Sequence, residues 1–194
     1  MRLKEWKQLK TQNIQKIVRI DTDTQDQMTP EQTFFVDGYW LGTLPNHINI
    51  EKFDRFDFKD CTQPEETWLD KNAMDDLREL HKWFGKNYIS KVFDKFELKD
   101  CAMWSGVDEG SRNWHNDFED GDAFNSNILV YMDDLTEENG NTIQVASNDY
   151  INILYPNRRD FVWLNQKKCF QHRATHESGV RRVLSFEYLI PALF

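Results

Sequence analysis

From residue 97 onward the apolar residues fall into short stretches, each closed by turn-forming residues, and this texture confines the second half of the chain to β-structure. Candidate strands are Leu98–Trp104, Ser126–Met132, Thr142–Val145, Asp160–Leu164 and Val180–Leu189. Turns fall at Gly106, Gly110, Asp120-Gly121-Asp122, Glu138-Asn139-Gly140-Asn141 and Pro156-Asn157. Strands at this spacing predict a sandwich, jelly roll or barrel. Asn148–Arg159 reads as a connecting loop, with Tyr150, Tyr155, Arg158 and Arg159 either in contact with a polar substrate or solvated.

The first half has a different pattern. Ile14, Ile17, Val18 and Ile20 suggest a leading strand, followed by a polar connection over Asp21–Pro30. Thr33–Thr43 sets aromatic residues on both sides of Asp37-Gly38, a hairpin-like signal. Ala73, Leu77, Leu80 and Phe84 share one face of a helix over Asp70–Phe84, capped by Asp70 or Asn72 and ended by Gly85. A second short helical stretch covers Asn87–Phe96. The class is mainly β with N-terminal helices (α+β). At roughly 150 residues per domain, the 194 residues suit one domain. A support region over about 1–96 would pack on a β core over about 97–190.

Charge excludes some functions. The net charge of -9 lacks the basic footprint that nucleic-acid binding needs. No apolar run approaches the ~20 residues of a membrane span. Cys61, Cys101 and Cys169 form no CxxC, so a cysteine zinc site is disfavoured. With no apolar signal segment at Met1–Trp6, the expected location is cytoplasmic.

The chemistry concentrates after Gly106. In His115-Asn116-Asp117, residues i and i+2 of an extended segment face the same way and offer two corners of a metal site. His172 and His176 are the two candidates for a third corner. Two histidines and a carboxylate form the facial triad of non-heme Fe(II) oxygenases; a zinc hydrolase can use the same set, but no HExxH accompanies it here. Further on, Arg181 and Arg182 face opposite sides of one strand. An arginine inside a barrel is costly unless it meets an anion, and its planar fork suits a carboxylate. The inward alternation Arg181, Val183, Ser185 favours Arg181. His176 would stand only five residues before it, too close for a ligand spanning the cavity.

The ordered set resembles the Fe(II)/2-oxoglutarate dioxygenases, more narrowly their prolyl-4-hydroxylase-like branch. In outline that branch reads HxD, a strand ending Tyr-Leu-Asn, a Gly-Gly-x-Thr turn, and a distal His followed by Gly-x-Arg. This chain has His115-Asn116-Asp117, Leu129-Val130-Tyr131-Met132-Asp133, Asn139-Gly140-Asn141-Thr142, His172 and Gly179-Val180-Arg181, over about residues 98–190. The resemblance implies a double-stranded β-helix core, jelly-roll or cupin-like, with flanking helices. It implies iron on His115, Asp117 and His172. It places the C5 carboxylate of 2-oxoglutarate on Arg181, with hydroxyls from Tyr131 and Ser185. Trp104-Ser105-Gly106 departs from the Tyr-x-x-Gly common in the family, so one phenol contact is missing.

By the same resemblance the reaction consumes molecular oxygen, gives succinate and carbon dioxide, and uses ascorbate as a helper reductant. Asp117 fills the position that halogenation would need vacant, which points to hydroxylation. A peptide or a small molecule is the expected substrate, and a monomer or homodimer the expected state. The competing reading is a non-catalytic cupin-like domain that binds a metal or a sugar; Arg181 argues against it.

Overall fold

The computed structural model describes residues 34–60, 71–116, 123–146, 151–167 and 170–191. Among these, nine strands form two sheets. They are β1 (Tyr39–Thr43), β2 (Lys59–Asp60), β3 (Glu97–Ser105), β4 (Ala123–Tyr131), β5 (Thr142–Ala146), β6 (Ile151–Leu154), β7 (Asp160–Asn165), β8 (Gln171–Thr175) and β9 (Arg182–Pro191). The larger sheet has the order β1-β7-β4-β9-β3-β2 and the smaller one β6-β5-β8. An isolated antiparallel bridge between His115 and His172 adds one more segment beside β8. Helix α1 covers Lys71–Phe84 and helix α2 covers Glu109–Arg112.

Alternation along the strands sorts side chains to two faces. Ile128 and Val130 of β4, Phe161 and Trp163 of β7, and Leu184, Phe186 and Tyr188 of β9 meet Ala73, Leu77, Leu80 and Phe84 of α1 in one buried cluster. Burial of each Leu or Phe there stabilises the fold by ~1.5–3 kcal/mol. The opposite face carries Tyr131, Val162, Leu164 and Val183, which meet Ile143, Val145 and Leu154 of the smaller sheet. The two sheets thus close on a second apolar cluster, and the architecture is the expected double-stranded β-helix, with α1 on the outer face of the larger sheet.

Several local expectations need correction. Helix α1 ends at Phe84 as expected, but Gly85 does not stop the helical path: the chain continues through a π-helical turn, Gly85–Ile89, into Ser90–Val92. Burial of Ile89 and Phe93 past this point outweighs the ~1 kcal/mol helix cost of a glycine. The missing side chain also admits Phe96, since a Cβ on Gly85 would lie 3.0 Å from its ring. Thr33–Thr43 is not a hairpin. Residues 34–36 are helical, and β1 pairs with β7 far along the chain. Packing of Phe34 on Trp163, ring centroids 4.4 Å apart, favours that turn. The loop expected over Asn148–Arg159 contains β6, whose Asn152 and Leu154 are buried. His172 lies on β8.

Arg158 and Arg159 do not face the site. Arg158 pairs with Asp54 at 2.6 Å and Arg159 with Glu51 at 3.0 Å, pinning the 3-10 segment Glu51–Arg55 to the start of β7. The leading strand at Ile14–Ile20, the connection Asp21–Pro30, Cys61, Asp70, Asp117, the turn Asp120-Gly121-Asp122, Tyr150 and Cys169 lie outside the described residues. No helix among the described residues is long and apolar enough to cross a membrane.

Candidate active site

A cavity of about 300 Å³ opens between the sheets, with His115, His172, Arg181 and Ser185 all on its wall. Local sequence explains how each arrives. Asp108 caps α2, accepting from the Ser111 amide at 2.6 Å and the Ser111 hydroxyl at 3.2 Å. The helix ends at Asn113, whose carbonyl accepts a hydrogen bond from His115 Nδ1 at 2.8 Å. A carbonyl cannot donate, so the proton sits on Nδ1 and His115 Nε2 presents its lone pair.

The His115 amide donates to the His172 carbonyl at 3.1 Å, and the His172 amide donates back at 2.8 Å. This exchange sets the two imidazoles with centroids 4.2 Å apart. Burial and then the neighbouring His115 push the His172 pKa down to about 3. His172 is therefore neutral at ordinary pH, the form that ligates a metal. The expected third ligand, Asp117, lies outside the described residues. His176 does not line the cavity; its Nδ1 bonds Asn141 Oδ1 at 2.6 Å.

Arg181 immediately precedes β9 on the inner row that continues as Val183, Ser185 and Glu187. It is 7% exposed. Its Nη1 donates to the Gly106 carbonyl at 3.0 Å, and its buried Nε has no partner among the described residues. Its guanidinium carbon lies 5.8 Å from the ring centre of Tyr131. Tyr131 is fully buried, and its hydroxyl also lacks a hydrogen-bond partner among the described residues. Burial lifts its pKa to about 12, outweighing the opposing pull of Arg181, so the phenol stays protonated and can donate. The Ser185 hydroxyl donates to Asn127 Oδ1 at 3.1 Å.

A buried orphan polar group costs about 1–3 kcal/mol. The two here, Arg181 Nε and the Tyr131 hydroxyl, are both donors and suit an anionic oxygen pair. The residues present therefore fit a carboxylate at this end and a metal ion at the histidine end.

Arg182 is paired by carboxylates. It turns away from the cavity and forms a two-pronged pair with Asp133, with a further contact to Asp54 at 3.1 Å. Trp114 packs under the Arg173 guanidinium, 4.7 Å from its ring centre. Asn127 and Glu187, also on the cavity wall, were not singled out from the sequence. The period-2 alternation that selects Ser185 on β9 extends to Glu187, and on β4 it places Asn127 in line with Leu129 and Tyr131.

No family model matches the chain, and no curated protein matches it. Solved structures do. HygX from Streptomyces hygroscopicus, with nickel, 2-oxoglutarate and hygromycin B bound, is 16% identical, with a TM-score of 0.53 over 86% of this chain and 89% of that one. A prolyl hydroxylase from Trichoplax adhaerens, in complex with a hypoxia inducible factor peptide fragment, is 8% identical, with a TM-score of 0.56 over 84% and 87%. An oxidoreductase of the 2OG-Fe(II) oxygenase family from Burkholderia pseudomallei is 10% identical, with a TM-score of 0.57 over 84% and 91%. The chain has the fold of the Fe(II)/2-oxoglutarate oxygenases.

Proposed function

We propose that this protein is an Fe(II)- and 2-oxoglutarate-dependent oxygenase, a hydroxylase of prolyl-4-hydroxylase-like type acting on a peptide or a small molecule. The observation that carries the reading is Arg181, buried with its Nε unpartnered, in the same cavity as the paired imidazoles of His115 and His172. His115, Asp117 and His172 are the metal ligands. Arg181, with hydroxyls from Tyr131 and Ser185, receives the C5 carboxylate of 2-oxoglutarate.

When bound, iron and 2-oxoglutarate supply the oxidising chemistry: one oxygen atom enters succinate as carbon dioxide leaves, and the other enters the substrate. The chain's own part is placement. The Asn113 carbonyl fixes the His115 tautomer, burial keeps His172 neutral, and the protonated Tyr131 donates toward the carboxylate end. Apolar Leu129, Ile143 and Val183 on the wall limit water around the reacting centre. Ascorbate as helper reductant, a cytoplasmic location and a single catalytic domain belong to the same proposal.

The test is anaerobic addition of Fe(II) and then 2-oxoglutarate. A weak visible charge-transfer band is expected. Its absence at saturating concentrations would overturn the assignment.

A further inference from the structure

Arg181 lies just outside the β9 ladder, so strand pairing alone does not hold it. Two contacts fix it from the β3 side. The Gly106 amide donates to the Arg181 carbonyl at 2.9 Å, and Arg181 Nη1 donates to the Gly106 carbonyl at 3.0 Å. One residue turns both its main-chain groups to Arg181, at a φ of 79° that favours glycine. From the β4 side the Arg181 guanidinium meets the Tyr131 ring, 5.8 Å from its centre, and the main-chain hold passes through Arg182. The Arg182 amide donates to Asp133 Oδ2 at 2.8 Å, and its Nε and Nη2 donate to Oδ2 and Oδ1 at 3.1 and 2.7 Å. Its carbonyl accepts from the Met132 amide at 3.0 Å.

We propose, resting on the oxygenase reading, that Asp133 is a positioning residue for 2-oxoglutarate: by clamping main chain and side chain of Arg182 it sets where the Arg181 guanidinium stands. An ion pair formed only for stability has no need of the backbone amide. Here one carboxylate holds three donors of one residue, and that residue is bonded directly to the anchor. Asp133 does not line the cavity, so an effect on the cosubstrate must travel through the Arg182–Arg181 backbone. Misplacing a binding group by about 1 Å can cost on the order of a hundredfold.

The experiment compares Asp133→Ala, Asp133→Asn and Arg182→Lys with the wild type. It reads the dissociation constant of 2-oxoglutarate through the anaerobic Fe(II) band, its KM against kcat, Fe(II) affinity alone, and the thermal midpoint. Asp133→Ala should weaken 2-oxoglutarate about 10- to 100-fold, raising KM while kcat at saturation changes little and Fe(II) affinity holds. Arg182→Lys, which keeps the charge and loses the fork, should fall between it and the wild type. Should Asp133→Ala fail to fold, Asp133→Asn and Arg182→Lys decide. A lowered thermal midpoint with unchanged 2-oxoglutarate affinity in these variants would reduce the pair to a structural one and overturn the proposal. Absence of the band in the wild type would instead sink the oxygenase reading on which it rests.

Discussion

His115 and His172 hold each other by reciprocal main-chain hydrogen bonds, so two ligand candidates 57 residues apart in sequence meet across one antiparallel bridge. The pairing lies beyond the regular ladder of the smaller sheet. It positions the imidazoles through backbone geometry, with their ring centroids 4.2 Å apart.

Replacement of either histidine by alanine should abolish Fe(II)-dependent turnover, because each removes one corner of the metal site. Asp117→Ala should do the same. His176→Ala should leave most of the activity, since that imidazole serves Asn141 and does not line the cavity. Fe(II) titration of the four variants checks this. Full binding in His172→Ala with loss in His176→Ala would reverse the assignment of the distal ligand.

Arg181→Ala should weaken 2-oxoglutarate by about 2–5 kcal/mol, the cost of leaving a largely buried carboxylate unpaired, or tens- to thousands-fold in affinity. Arg181→Lys should recover part of the loss, as a point charge replaces the fork. Binding measured anaerobically separates this from chemistry. Equal affinity in Arg181→Ala and the wild type would remove Arg181 from the site.

The β core and the facing of its strands were legible because alternation is a local signal: it sets Arg181, Val183 and Ser185 on one side and Arg182 on the other. What escaped depended on partners distant in the chain. Ile151–Leu154 alternates as a strand should, but Asn152 reads as a polar loop residue until its pairing with Val145 is known. Gly85 is a helix stop in isolation and a packing surface for Phe96 in the fold. That Arg182 would be paired required knowing that Asp133 and Asp54 approach it from two other elements.

His81 should give the protein an acid-side weakness separate from the proposed metal ligands. Burial, opposed by its bond to the Glu187 carbonyl and by Asp100, holds its pKa below the usual histidine value. In the unfolded chain it takes up a proton below about pH 6.5, whereas in the fold it stays neutral to lower pH. The unfolded state then binds more protons, so this contribution is complete above about pH 6.5 and is lost as pH falls toward the folded value. His81→Gln should flatten the slope of urea midpoint against pH in that window. An unchanged slope would assign the loss to other groups.

Tyr131→Phe separates a binding role from a packing role, because the two predict opposite signs. The Tyr131 hydroxyl is fully buried with no hydrogen-bond partner among the described residues, which costs about 1–3 kcal/mol. Phenylalanine keeps the ring and removes that cost, so the thermal midpoint of the ligand-free protein should hold or rise. Affinity for 2-oxoglutarate should fall about tenfold, the loss of one neutral donor worth about 1–1.5 kcal/mol. The stabilisation that saturating 2-oxoglutarate confers should shrink with it, since ligand linkage follows affinity. Thermal midpoints with and without Fe(II) and 2-oxoglutarate, taken on both proteins, give the two signs in one experiment. A fall in the ligand-free midpoint together with unchanged affinity would make Tyr131 a packing residue and leave the carboxylate to Arg181 and Ser185.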